Sequence, residues 1–162
     1  MKKTNKIKLI IFISFLYISC LINAQTMTDQ EGNIYKTIKI GTQTWMAENL
    51  KVTKYRNGDS ITNVVEATAW VNLTKGAYCN YENNAANGST YGRLYNWYVA
   101  IDSRNIAPDG WHVPTAAEWQ VLITYLGRES VACGKMKEIG LTHWQSPNTY
   151  ATNSSGFTSL PG

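Results

Sequence analysis

Residues 110–122 read GWHVPTAAEWQVL, and they mark the place where an extended segment stops and a helix starts. Thr115 followed three residues later by Glu118 is a capping box, in which the hydroxyl accepts from one orphan amide and the carboxylate from another. Behind it Trp119, Leu122, Ile123 and Leu126 recur at helical spacing, and Gly127 stands where helices commonly end in left-handed backbone. Pro114 disfavours helix at Val113, so Trp111 and Val113 share one face of an extended run and His112 takes the other. The block mixes tryptophan, histidine and glutamate as active sites do. A helix start nevertheless accounts for Thr115 and Glu118 without catalysis.

Upstream the pattern is β. In Ile34 to Ile40, Ile34, Ile38 and Ile40 share one parity while Tyr35, Thr37 and Lys39 share the other, which predicts a strand with one buried face. Gly41-Thr42 supplies a turn and Gln43 to Met46 returns as the second strand of a hairpin. Lys51 to Tyr55 reads as a third strand, followed by a turn at Asn57-Gly58-Asp59. Asn80 to Thr90 (NYENNAANGST) is so rich in Asn and Gly that it predicts a loop. A calcium loop is the alternative there, with Glu82 and the amide carbonyls as oxygen ligands. It has one carboxylate and lacks the alternating aspartates of a calcium-binding loop.

Tyr91 to Asp102 (YGRLYNWYVAID) changes period. Leu94, Trp97, Tyr98 and Ile101 fall at i, i+3, i+4 and i+7, which predicts a helix whose aromatic stripe is core. Pro108 and Gly110 then place a loop before the capping box. The chain thus reads as β first and two amphipathic helices after it, one α+β domain with room for one core.

The first 24 residues form a leader: lysines precede an apolar run from Leu9 to Ile22, with Ala24 as the small residue at a cleavage point. The run is shorter than the roughly 20 residues a membrane-spanning helix needs. Cleavage after Ala24 makes residues 25–162 the mature domain. The alternative makes Cys20 a lipid-modified cysteine, since Leu-Tyr-Ile-Ser-Cys loosely resembles a lipobox. Both readings send the chain out of the cytoplasm, to the extracellular space or the cell surface, with an outer-membrane lipoprotein as the second form. Lys2, Lys3, Lys6 and Lys8 belong to the leader, so 11 basic residues remain against 11 acidic ones. No basic cluster is left to bind nucleic acid. Cys79 and Cys133 stay in the mature chain, and their pairing is open.

Seven blocks in order, GNIYKTIKIGTQTWMAENLKV, YCNYENN, YGRLYNWYVA, APDGWHVPTAAEWQVL, GKMKEIG, HWQSPN and ATNSSGFTSLPG, resemble the Fibrobacter succinogenes major paralogous domain of secreted bacterial proteins over residues 29–162. The resemblance implies a C-type-lectin-like α+β fold with a small twisted antiparallel sheet, two helices and long ordered loops. HVPTAAEW is similar to a block of the formylglycine-generating, sulfatase-modifying enzymes. Members of the family commonly continue past the point corresponding to Gly162 with further strands. The resemblance therefore implies a domain lacking about a third of the usual size, and a Cys79 separated from any partner in that part. Sugar-coordinating and catalytic residues of the related folds lie late in the chain, so none is carried over onto this sequence.

The inventory argues against an enzyme. His112 and His143 are the two histidines, and no zincin spacing, nucleophile elbow, Walker loop or dinucleotide fingerprint occurs. A binding module is expected first, with Trp70, Tyr78, Tyr81 and Trp144 as rings for stacking on a glycan or another cell-surface ligand. Thr115, Glu118, Trp97, Trp111 and Trp119 are expected to be structural. A matrix or surface domain without a specific ligand is the alternative, and an enzyme like the sulfatase-modifying factors ranks third. No cofactor is expected, calcium being the exception just weighed, and the sequence is silent on oligomeric state.

Overall fold

The computed structural model describes residues 25–161. The leader, with Cys20 and the Ala24 cleavage point, lies outside these residues. Two small sheets and five short helices make a mixed α+β architecture. The first sheet is antiparallel and runs β1 (Thr26–Thr28), β2 (Ile34–Ile40), β3 (Gln43–Met46). The second is mixed: β4 (Thr62–Asn63) pairs parallel with β5 (Ala77–Cys79), which pairs antiparallel with β6 (Leu94–Tyr95). The helices are α1 (Ala67–Val71), α2 (Ala85–Tyr91), α3 (Trp97–Ala100), α4 (Ala116–Tyr125) and α5 (Glu129–Met136). No helix among the described residues is long and apolar enough to cross a membrane.

The β2–β3 hairpin forms as expected, with Ile40 opposite Gln43. Gly41 takes φ +61° at the first loop position, where a two-residue loop with one positive φ needs glycine. A Cβ there would also meet the Tyr125 ring at 2.9 Å.

The single buried face expected for β2 is corrected. Ile40 is buried and Ile38 packs against the same cluster, but at the other end Tyr35 and Thr37 are buried and Ile34 is exposed. The strand is covered on opposite faces at its two ends. Tyr35 explains the switch: its hydroxyl donates to Asp29 Oδ2 at 2.6 Å and accepts from the Lys51 amide at 3.0 Å. Burial first, then the Asp29 carboxylate, push this phenol well above its usual range. Asp29 in turn accepts from the Glu31 and Asn33 amides, closing the β1–β2 turn. Lys51 to Tyr55 is not a full strand. It makes one bridge, Lys54 with Ser60, around the expected turn, where Gly58 has φ +92° and Asn57 Oδ1 accepts from the Asp59 amide.

The stretch 80–90 is also corrected, because it holds a 3-10 turn (Tyr81–Asn83) and α2. The asparagines that argued for a loop act as caps and ties. Asn84 accepts from the Ala86 amide, Asn83 donates to the Val65 carbonyl and Asn87 to the Tyr81 carbonyl.

The long helix expected over Tyr91 to Asp102 is absent. Gly92 turns at φ +74°, Leu94 and Tyr95 pair in β6, and only one turn of α3 follows, capped by Asn96. Trp97 is therefore 70% exposed instead of core, Ile101 is exposed as well, and Val99 is the buried residue. The apolar spacing was real, but a strand that pairs at Leu94 cannot present it as one helical stripe.

Two buried clusters replace the single expected core. One gathers Ile40, Trp45, Leu122, Leu126 and Ala132; the other gathers Val52, Tyr55, Ile61, Val99 and Ile106. α5, which the spacing did not announce, contributes Ala132 to the first. Its last carbonyls, which a helix leaves without internal partners, accept from the chain that returns past it. Thr152 donates to Gly134, Ser155 to Lys135 and Ser159 to Met136, at 2.8 to 3.0 Å. Gly134 is required for this, since a Cβ would collide with the Tyr150 carbonyl. The returning segment brings Phe157 against the first cluster.

Candidate functional site

The two clusters leave a cleft between them. It encloses about 570 Å³ and takes its walls from both: Trp45, Trp119 and Phe157 on one side, Leu50 and Ile106 on the other, with Trp111 also in the lining. The rings form a continuous surface. Trp45 and Trp119 lie 4.7 Å apart at 42°, and Phe157 lies 6.0 Å from Trp45 and 6.1 Å from Trp119.

The capping box forms one edge of this cleft. Thr115 accepts from the Glu118 amide at 3.3 Å, while its own amide and hydroxyl both donate to Glu118 Oε2 at 2.8 Å. The other carboxylate oxygen, Oε1, lies 2.7 Å from His112 Nε2. The Thr115 amide first, then its hydroxyl and His112, hold the Glu118 carboxyl down to about 2. Such a group is a charged acceptor near neutral pH, fixed by its bonds to Thr115 and His112. At the far end α4 closes with the Gly127 cap foreseen in the sequence. The Gly127 amide donates to Thr124 at 3.1 Å and that of Arg128 to Ile123 at 2.8 Å, the paired bonds of a Schellman ending.

Arg56 holds the segment 107–111, which also lines the cleft. Its Nε donates to the Ala107 carbonyl at 2.9 Å, and Nη2 donates to Pro108 and Trp111 at 2.8 Å each. The added Asp109 contact, 3.4 Å away, is with a carboxylate almost wholly in water and contributes little. Three carbonyls on one guanidinium fork set the path of 107–111, and with it the place of Trp111.

Two buried polar atoms on cleft-lining residues have no hydrogen-bond partner among the described residues, Gln43 Oε1 and Trp45 Nε1. They stand two residues apart on β3, hence on one face, and one is an acceptor while the other is a donor. A second cavity of about 360 Å³ adjoins the first. Asn49, Leu50, Ile106 and Val113 line both, and Tyr81, Tyr91, Arg93 and Tyr95 line the second alone.

The rings expected to bind ligand are scattered. Tyr81 lines the second cavity and stands edge-on to Tyr91 at 6.0 Å. Tyr78 packs in the second sheet beside Tyr95, Trp70 lies on α1, and Trp144 donates to the Ser159 carbonyl beneath Lys137; these three line neither cavity. Of the residues expected to be structural, Thr115 and Glu118 act as foreseen, whereas Trp111 and Trp119 also wall the cleft. Trp45, Arg56 and Phe157 were not singled out from the sequence, and only the aromatic content hinted at the first and last. Cys79 and Cys133 are both free thiols, so the open pairing is not made. Among the described residues no three His, Cys, Asp or Glu side chains come together.

Neither a curated protein nor a solved structure matches the chain. A family model does, over residues 38–162, which includes every wall of the cleft. The chain belongs to the Fibrobacter succinogenes major domain family.

Proposed function

We propose that the domain is a non-catalytic binding module displayed outside the cell, and that its aromatic cleft takes glycan chains. One observation carries the reading: four rings, Trp45, Trp111, Trp119 and Phe157, surround a cleft of about 570 Å³ edged by polar groups already held in place. The C–H faces of a sugar ring pack on indole surfaces, and its hydroxyls donate to acceptors such as Glu118. The fold is read as C-type-lectin-like, on the strength of its small sheets, short helices and long ordered loops. Export through the leader, with release at Gln25 or a lipid on Cys20, puts the cleft where polysaccharides occur. Binding is read as independent of calcium, because the asparagines of 80–90 are engaged in caps and backbone ties.

The test is titration of the mature domain with a panel of oligosaccharides, followed by tryptophan fluorescence and calorimetry with and without EDTA. Saturable binding that weakens at least tenfold in Trp111→Ala, at unchanged far-ultraviolet circular dichroism, supports the reading. Failure of the whole panel, or binding indifferent to Trp111→Ala, overturns it. A matrix or surface domain is the second reading, favoured by the exposed apolar side chains Trp97 and Ile101. It expects self-association in place of sugar binding.

A further inference from the structure

The second cavity contains an arginine without a counter-ion. Arg56 and Arg104 each pair with aspartates, but among the described residues no carboxylate lies within ion-pair distance of Arg93. One Nη donates to Asn80 Oδ1, the guanidinium lies over the Tyr78 ring at 5.0 Å, and the buried Nε has no hydrogen-bond partner among the described residues. A guanidinium carries five donors, and Asn80 is the one hydrogen-bond partner of this fork among the described residues.

The position is closely built. The Arg93 amide donates to the Leu50 carbonyl at 3.0 Å. The preceding Gly92, at φ +74°, passes so near Asn49 and Leu50 that a Cβ would fall 2.6 to 2.7 Å from their atoms. On the other side a Cβ at Gly88 would run into the Arg93 guanidinium and Asn80. Gly88 and the buried Asn80 thus seat the guanidinium, and Arg93 lines a cavity whose walls include Tyr81, Tyr91 and Tyr95 together with Leu94, Val99 and Pro161.

We infer that Arg93 makes the second cavity a carboxylate subsite, so that the glycan taken by the adjoining cleft is an acidic one carrying uronic-acid units. The inference rests on the glycan reading of the larger cleft. A planar guanidinium fork matches a carboxylate by two parallel hydrogen bonds, and the tyrosine rings suit the sugar that bears it. The shared walls at Asn49, Leu50, Ile106 and Val113 let one chain occupy both cavities.

The experiment uses three matched-length probes: an oligogalacturonide, its methyl ester and a neutral galacto-oligosaccharide. Calorimetry is run on the mature domain and on Arg93→Gln, Arg93→Lys and Trp111→Ala. The expected result is binding of the acid at least tenfold tighter than of the ester, with the preference lost in Arg93→Gln. Because Arg93 also stacks on Tyr78, Arg93→Lys is read where the glutamine variant fails to fold. It keeps the charge without the fork, and a preference reduced severalfold is expected. Equal binding of acid and ester, or a preference that survives both substitutions, overturns the inference. If all three probes bind alike and Trp111→Ala abolishes binding, the cleft reading stands and the acidic specificity falls. If none of the probes binds, both fall.

Discussion

Trp45 and Trp119, one from the first hairpin and one from the first turn of α4, meet with ring centroids 4.7 Å apart, and this contact joins the sheet to the helix at the edge of the cleft. The partners differ in burial. Trp45 is 7% exposed and Trp119 37%, so one ring is core and the other is wall.

Trp45→Ala should therefore destabilise by about 3–5 kcal/mol, the usual range for a buried large aromatic, and Trp119→Ala by clearly less. Denaturant midpoints at constant slope check this. A larger loss at Trp119 would mean that the helix, and not the hairpin, carries the contact.

Thr115→Ala removes the hydroxyl that caps α4 and should cost about 1 kcal/mol, while oligosaccharide affinity stays within twofold. Thermal unfolding and titration of the same sample separate the two effects. Lost affinity at unchanged stability would make Thr115 a contact residue.

Glu118 gives the cap a pH dependence with a definite sign. Its carboxyl is held down to about 2 in the folded chain, from an ordinary value of 4.5. The stability this contributes is full above pH 4.5 and is lost as the pH falls toward 2. Wild type should be more stable than Glu118→Gln above pH 5, and the gap should close between pH 4.5 and 2. A gap independent of pH would show that the interactions with Thr115 and His112 do not depend on the charge.

The capping box, the hairpin and the Gly127 ending were legible because each is local: spacing and turn chemistry over a few residues determine them. Tyr35 was misjudged because its burial depends on the Lys51 amide and on Asp29, partners that strand parity does not reveal. The cleft was illegible for a related reason. Trp45, Trp111 and Phe157 line one cleft because the returning segment satisfies the α5 carbonyls and Arg56 gathers three carbonyls of 107–111. Rings placed in polar stretches drew attention as ligand contacts, yet Tyr78 and Trp144 are held by Tyr95, Lys137 and Ser159.

Arg56→Lys tests that gathering. A lysine keeps the charge but not the fork, leaving part-buried carbonyls of Ala107, Pro108 and Trp111 short of donors, at about 1–3 kcal/mol for each group left unpaired. The expected outcome is a lower melting temperature together with at least fivefold weaker oligosaccharide binding, since Trp111 loses its fixed place. Unchanged affinity in a destabilised variant would mean that Trp111 is positioned by α4 and not by this arginine.

Trp97 offers the sharpest separation of the periodic reading from the observed fold. Were it core on a helical stripe, Trp97→Ala would cost several kcal/mol. At 70% exposure, on a single helical turn whose buried residue is Val99, the substitution should change stability by no more than about 0.5 kcal/mol, whereas Val99→Ala should cost distinctly more. The same variant addresses self-association through the exposed apolar side chains Trp97 and Ile101, because Trp97 is the larger and uncovered apolar surface marks interaction sites. Light scattering over a concentration series is the accompanying measurement. Self-association that disappears in Trp97→Ala at unchanged monomer stability would favour the matrix reading over sugar binding. A monomer at all concentrations, with or without Trp97, would leave the aromatic cleft as the surface through which this domain meets its ligand.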